Sequence, residues 1–289
     1  MESKNLPKAI LKTLSYADVF DYPLTEDEIW QYLVEEKAVQ GQVSMSLKSL
    51  LIKGKVFKSL NFFFLPGREK IAKERKKRAK LASQKMKRAK FAARVLAIIP
   101  SIKLVGLTGA LAMANSREAD DIDFLIVTSS NLLWTTRFLA TSLLTILGLK
   151  RERTAKKFTD KICLNMFIDE TSLVFEDRNL FIAHEISQLR PLFERKETYR
   201  KFLSCNKWVG KFLPNYPFPK TTVKPKLPQK PVFLMVFVEK LLKKAQLKYM
   251  YPHITTEIIS DKILKFHPQD IGVEVLSKYK KRVESLKTS

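Results

Sequence analysis

The stretch from Val105 to Val127 constrains this chain more than any other. It reads Val105-Gly106-Leu107-Thr108-Gly109-Ala110-Leu111-Ala112-Met113-Ala114-Asn115, then Ser116-Arg117-Glu118-Ala119-Asp120, then Asp121-Ile122-Asp123-Phe124-Leu125-Ile126-Val127. An apolar strand ends at Leu107. Gly109, with the small residues Ala110 and Ala112, predicts a helix start that an anion can approach closely, held by backbone amides and the helix dipole. After a loop, Asp121 and Asp123 open a second apolar strand. Side chains two apart on a strand share a face and lie roughly 6.6 Å apart. The two carboxylates therefore point the same way, and Asp120 points the other. Paired carboxylates make a hard-oxygen site suited to Mg²⁺. Two such metals about 3.5–4 Å apart can clamp the attacking and leaving oxygens of a phosphoryl or nucleotidyl transfer.

The flanking sequence predicts an α/β unit around this stretch. Strands are expected over 102–107, 122–127 and 161–168, a short helix over 109–115 and a long apolar one over 131–149. Residues 178–213 are expected to continue as helices interrupted at Pro191. The first 67 residues predict a winged helix-turn-helix. Ile10, Leu11, Leu14 and Ala17 recur at helical spacing. Thr25 and Glu28 form a capping box before a second helix, Leu47, Leu50 and Leu51 mark a third, and Val56–Leu65 holds a short hairpin. Its Phe62-Phe63-Phe64 run suits either base stacking or packing. Residues 68–97 lack Gly and Pro and predict one long basic helix, with Ala72, Ala79, Met86 and Ala93 repeating every seven residues and Ala82, Ala89 and Leu96 beside them. Residues 214–231 hold 6 of the 13 prolines and read as a linker. Residues 232–289 read as a basic helical region.

Thr108-Gly109-Ala110 and Asp121-Ile122-Asp123 resemble the nucleotidyltransferase superfamily, the DNA polymerase beta-like fold, whose signature is Gly-Ser after a strand and then Asp-x-Asp. The resemblance covers about residues 95–205, and the domain is placed over 98–213. It implies an α/β (α+β) nucleotidyltransferase-like domain following the winged helix and connecting helix. It also implies Mg²⁺, a nucleoside triphosphate donor, and nucleotidyl transfer with pyrophosphate release. Carried over residue by residue, Asp121 and Asp123 are metal ligands, and Thr108, Gly109 and Ala110 hold the triphosphate with Arg117. The sequence departs from the pattern twice. Ala110 replaces the family serine, so a hydroxyl is missing unless Thr108 supplies one. Asn165 occupies the place of the third carboxylate, which helps deprotonate the acceptor. Asp169, four residues on, would share Asn165's face and is the candidate replacement as a metal ligand. Lys103 and Arg137 are further candidates to neutralise triphosphate. The neighbouring pair His184-Glu185 reads as a surface or capping feature.

The net charge of +24 sits in two blocks: residues 68–94 hold 13 basic and 2 acidic side chains, and residues 206–289 hold 17 and 6. Such blocks attract RNA or DNA by screened electrostatics, or serve as a solubilising surface. The two cysteines, Cys163 and Cys205, offer no disulfide framework or metal-ligand spacing, as expected in a reducing cytoplasm. No apolar stretch approaches the length of a membrane span, and Met1–Asn5 lacks a signal-peptide core, so a cytoplasmic protein without a membrane partner is expected. Two functions follow: a Mg²⁺-dependent nucleotidyltransferase, or a nucleotidyltransferase-fold protein that has lost turnover and regulates by binding nucleic acid or docking protein.

Overall fold

A computed structural model describes residues 5–151, 159–219, 233–253, 257–266 and 271–288. The chain begins with three helices, α1 (Leu6–Asp18), α2 (Glu26–Gln31) and α3 (Gln40–Ile52), and a hairpin of β1 (Phe57–Ser59) and β2 (Phe62–Phe64). Ile10, Leu14, Ile29, Leu33, Val43, Leu47 and Phe63 close a core of their own. The Thr25 capping box forms: the Glu28 amide donates to the Thr25 hydroxyl, and the Thr25 amide donates to Glu28 at 2.8 Å. Phe63 and Phe64 are buried, and Phe62 lies half-buried under the Arg75 guanidinium. The phenylalanine run packs and does not stand ready to stack on bases.

Helix α4 (Lys70–Leu96) follows as one 27-residue element. Its small-residue stripe is real but shifted: Ala72, Ala82, Ala89, Ala92, Ala93 and Leu96 are buried, whereas Ala79 is exposed. Arg75 fastens the helix to the N-terminal module with two hydrogen bonds to Glu28, at 2.7 and 2.6 Å. Lys85 is buried on the same helix. Its ammonium donates to the Glu118 carbonyl at 2.9 Å and to that of Asp120, and so grips the loop that delivers Asp121.

The central sheet then forms from β3 (Ile102–Leu107), the short α5 (Gly109–Ala112), β4 (Ile122–Thr128), α6 (Leu133–Ile146) and β5 (Ile162–Asp169). β3 and β4 pair antiparallel, and β4 and β5 pair parallel. Next come α7 (Leu180–Gln188), β6 (Arg190–Glu194), α8 (Thr198–Cys205), α9 (Phe233–Met250), β7 (Ile258–Ile259), β8 (Ile263–Lys265) and α10 (Ile271–Thr288). The sheet order is β6-β3-β4-β5-β8-β7. Helices α4, α6 and α9 cover one face, over Phe124, Ile126 and Phe167; α7, α8 and α10 cover the other, over Leu125, Val127 and Ile168.

Two sequence expectations are corrected here. Residues 190–194 form a strand, not an interrupted helix, and Pro191 sits on it. The strand lies at the sheet edge, where a missing amide disrupts no ladder. Residues 232–289 are not wholly helical: β8 adds antiparallel to β5, with Lys265 opposite Met166. The expected linker falls largely outside the described residues. No helix among the described residues is long and apolar enough to cross a membrane.

Helix α9 also completes α6. The amides of Trp134 and Thr135, in the first turn of α6, donate to the two carboxylate oxygens of Glu239 at 2.7 and 2.8 Å. Those amides have no partner within their own helix, and a carboxylate there also meets the positive end of the dipole. Replacing Glu239 by alanine should destabilise the protein by about 1–2 kcal/mol, read as a lower urea midpoint. An unchanged midpoint would show that solvent caps α6 equally well.

Candidate functional site

Strand β3 ends against the start of β4. The Thr108 amide donates to the Asp123 carbonyl at 3.0 Å, which fixes the turn beside that residue. Gly109 follows with φ +66°, and a Cβ built on it would lie 2.9 Å from Asp123 Oδ2. Glycine is required there twice over, by its left-handed backbone and by the carboxylate against it. The helix after the turn spans only four residues, Gly109–Ala112, not the seven expected. So short a helix has little dipole, and the turn's backbone is the feature that faces the carboxylates.

Asp121 and Asp123 come together as expected, and a third group joins them. Ligand atoms of Asp121, Asp123 and Cys163 all lie within 4.8 Å of one another. Cys163 pairs directly with Asp123 across β4 and β5. No spacing rule within one segment foreshadows this, because the parallel register of two distant strands creates it. Arg151 also enters, its Nη1 2.5 Å from Asp121 Oδ2. Its sequence signal was only a cation after an apolar helix.

The electrostatics follow from burial. Asp123 Oδ1 is buried and takes no hydrogen bond among the described residues. Loss of water, and then the Asp121 charge, push the Asp123 carboxyl up to about 7, opposed by the Cys163 thiol and Arg151. Burial, followed by the charge of Asp123, pushes the Cys163 thiol well up, so it stays protonated. A divalent cation fits this arrangement: it would partner the orphaned oxygen and relieve the repulsion between the carboxylates. The two aspartates would hold it, since Mg²⁺ commonly takes one or two carboxylates plus substrate phosphates. A protonated thiol is no ligand for a hard cation.

The remaining expected residues separate. Asn165 lines the same cavity as Asp123. Asp169 does not join them. The β4–β5 register shifts by one between Phe124 and Leu125, so that Leu164 opposes Phe124 but Met166 opposes Leu125. Asn165 is the extra residue of a bulge. Beyond it the alternation reverses, and Asp169, opposite Thr128, reaches the other sheet face at the far end of the strand. There it accepts the Asn131 and Thr171 amides, each at 2.8 Å. Arg117 is exposed and reaches Asp21 at 3.5 Å, away from the cavity. Arg137 is half-buried, held against Gln246 of α9 and the Phe266 ring. Burial draws its guanidinium down to about 10. Lys103 does not line the cavity either.

His184 and Glu185 overturn their reading as surface groups. His184 is buried, stacks on Tyr16 with ring centres 4.0 Å apart, and meets Gln188 at 3.0 Å. Burial pulls its imidazole down to about 3, so it is neutral. Glu185 lines the cavity with Asp123, and burial raises its carboxyl to about 7 against the pull of Lys265. The cavity has a volume of about 480 Å³.

No known protein family, curated protein or solved structure matches the chain.

The buried carboxyl has a measurable signature. The native state holds the Asp123 proton up to about pH 7, while the unfolded chain releases it near pH 3.9. Between those values rising pH favours unfolding, and above pH 7 the penalty is complete. In chelator-treated buffer Asp123→Asn should therefore be more stable than wild type at pH 8, by up to about 4 kcal/mol, with the gap closing near pH 4. Guanidinium melts at the two pH values read this directly. A gap that is absent, or equal at both, would mean that Asp123 ionises in the folded protein at no cost.

Proposed function

We propose that the chain is a Mg²⁺-dependent nucleotidyltransferase whose domain has the DNA polymerase beta-like arrangement, preceded by a winged helix. The observation that carries the reading is the Thr108–Gly109 turn in contact with the Asp123 carboxylate, beside Asp121, over a cavity large enough for a small ligand. The β3-α5-β4-α6-β5 order, with one antiparallel and one parallel pairing, supports it, as do three helices and a hairpin ahead of it.

In this reading Asp121 and Asp123 hold the cation, which would supply charge neutralisation of the triphosphate and polarisation of its α-phosphorus. The Thr108–Gly109 turn admits the phosphate chain because no side chain projects from Gly109. Arg151 takes the place expected of Arg117. It pairs with Asp121, and with a cation on that carboxylate it would be placed to meet the phosphates. The acceptor oxygen forms a bond to the α-phosphorus, the α–β bridge breaks, and pyrophosphate leaves.

A second reading has its own support. Asn165 carries no charge, Ala110 offers no hydroxyl, and Arg151 already pairs with a metal ligand. A protein so altered binds nucleotide without turnover, and the exposed cations of α4, such as Lys73, Lys76, Lys80, Lys87 and Lys90, would then hold nucleic acid.

Incubation with Mg²⁺ and each nucleoside triphosphate, following pyrophosphate, separates the two. Turnover should fall at least about 100-fold in Asp121→Ala and in Asp123→Ala, while their far-ultraviolet circular dichroism stays that of wild type. Triphosphate binding without pyrophosphate release, across small-molecule and RNA acceptors, would favour the second reading. Gly109→Ala should cost more in turnover than in stability, because the new methyl must displace the Asp123 carboxylate. Undiminished turnover in this variant would mean that the turn does not position the site.

A further inference from the structure

The cavity beneath the aspartates has a composition that selects its occupant. Its floor is one face of β4 and β5. Asp123 and Leu125 lie two apart on β4 and share that face, and Met166 pairs with Leu125. From Asp123 inward, the floor passes from carboxylate to apolar within one strand repeat. Helix α7 supplies Ile182 and Phe181, α1 supplies Tyr16, and α10 closes the side with Leu276. Among the described residues, three acidic ones line the space, Asp123, Asp177 and Glu185, against one Lys or Arg, Lys265. The large cationic surplus of the chain lies elsewhere, much of it on the exposed face of α4. A phosphate backbone would find repulsion here and no cation row to neutralise it.

We propose that this cavity binds the acceptor, and that the acceptor is a small, uncharged, largely apolar molecule bearing a hydroxyl, such as a substituted phenol or aliphatic alcohol. This rests on the nucleotidyl-transfer reading and names the substrate class of that site. The apolar body lies along Leu125, Met166 and Phe181, and the hydroxyl faces Asp123, Asn165 and Glu185. Its oxygen attacks the α-phosphorus of the nucleoside triphosphate, pyrophosphate departs with the electrons of the broken bridge, and the hydroxyl proton passes to the Glu185 carboxylate. Glu185 thus takes the role that Asn165 cannot. Glu185 lines the same cavity as Asp123 and Asn165, which is the placement a base for that hydroxyl needs.

Titration calorimetry of the full chain with a series of 4-alkylphenols tests the site apart from the chemistry. Affinity should rise about fourfold per added methylene until the cavity is filled. It should survive Asp121→Ala and fall at least about tenfold in Leu276→Trp, a substitution at a half-exposed position that fills the space. Where Leu276→Trp proves misfolded, Phe181→Ala serves instead, with a flatter dependence on chain length expected. In the pyrophosphate assay the same phenols should stimulate turnover. Glu185→Gln should lower the phenol-dependent kcat at least about 100-fold and leave phenol affinity within a factor of about two. No phenol binding by folded protein, or stimulation by an RNA oligonucleotide and not by phenols, overturns the proposal. Saturable phenol binding without pyrophosphate release from any triphosphate would support the cavity assignment and sink nucleotidyl transfer instead.

Discussion

The approach of Gly109 to Asp123 is the constraint from which the rest of the site follows. A carboxylate lies within 2.9 Å of where a Cβ would sit. The turn between β3 and α5 therefore tolerates only glycine, and Asp123 is held against backbone on one side. Its other side meets Asp121, Cys163 and the cavity. A group so enclosed is costly to ionise, and nothing among the described residues satisfies Oδ1. Natural cores rarely leave a buried carboxylate oxygen in that state. Arg151 pairs with Asp121 and only partly offsets the charge that Asp123 would carry. The deficit is local and electrostatic, and a bound cation is its simplest remedy.

Much of the scaffold around that contact was legible in sequence, because each element there obeys one strong local rule. β3 is an apolar run broken only by Lys103 and has the bounds expected, Ile102–Leu107. The second helix begins at the Thr25–Glu28 box, whose chemistry is complete within four residues. α4 needs only helix-forming residues without Gly or Pro. The aspartate pair was read from the two-residue repeat of a strand, and the two carboxylates do meet although Asp121 stands just before β4, which starts at Ile122.

What was illegible depended on pairing between distant segments. The reading of Asp169 as Asn165's neighbour assumed an unbroken alternation. The bulge at Asn165 reverses it and sends Asp169 to the opposite face, and only the register against β4 reveals that. Cys163 and Arg151 enter the site for the same reason, through a parallel pairing that no spacing encodes. Pro191 misled because proline punctuates helices and sits equally well on an edge strand. β7 and β8 were missed because strands of two and three residues carry almost no periodicity, and they form only because β5 offers an open edge.

That late addition to the sheet has a chemical consequence. Without β8, β5 would be an edge and the cavity would lack Lys265, its only cation among the described lining residues. Lys265 attracts Glu185 and so tempers the rise that burial imposes on the carboxyl. α10 then crosses back to α1, where Arg282 and Arg68 both donate to the Asp18 carboxylate at 2.6 Å. One aspartate, itself only slightly exposed, thereby ties together the first helix, the segment just before the long basic helix and the last helix. The same two helices, α1 and α10, supply part of the cavity wall, through Tyr16 and Leu276, so the Asp18 ion pairs also hold that wall in place.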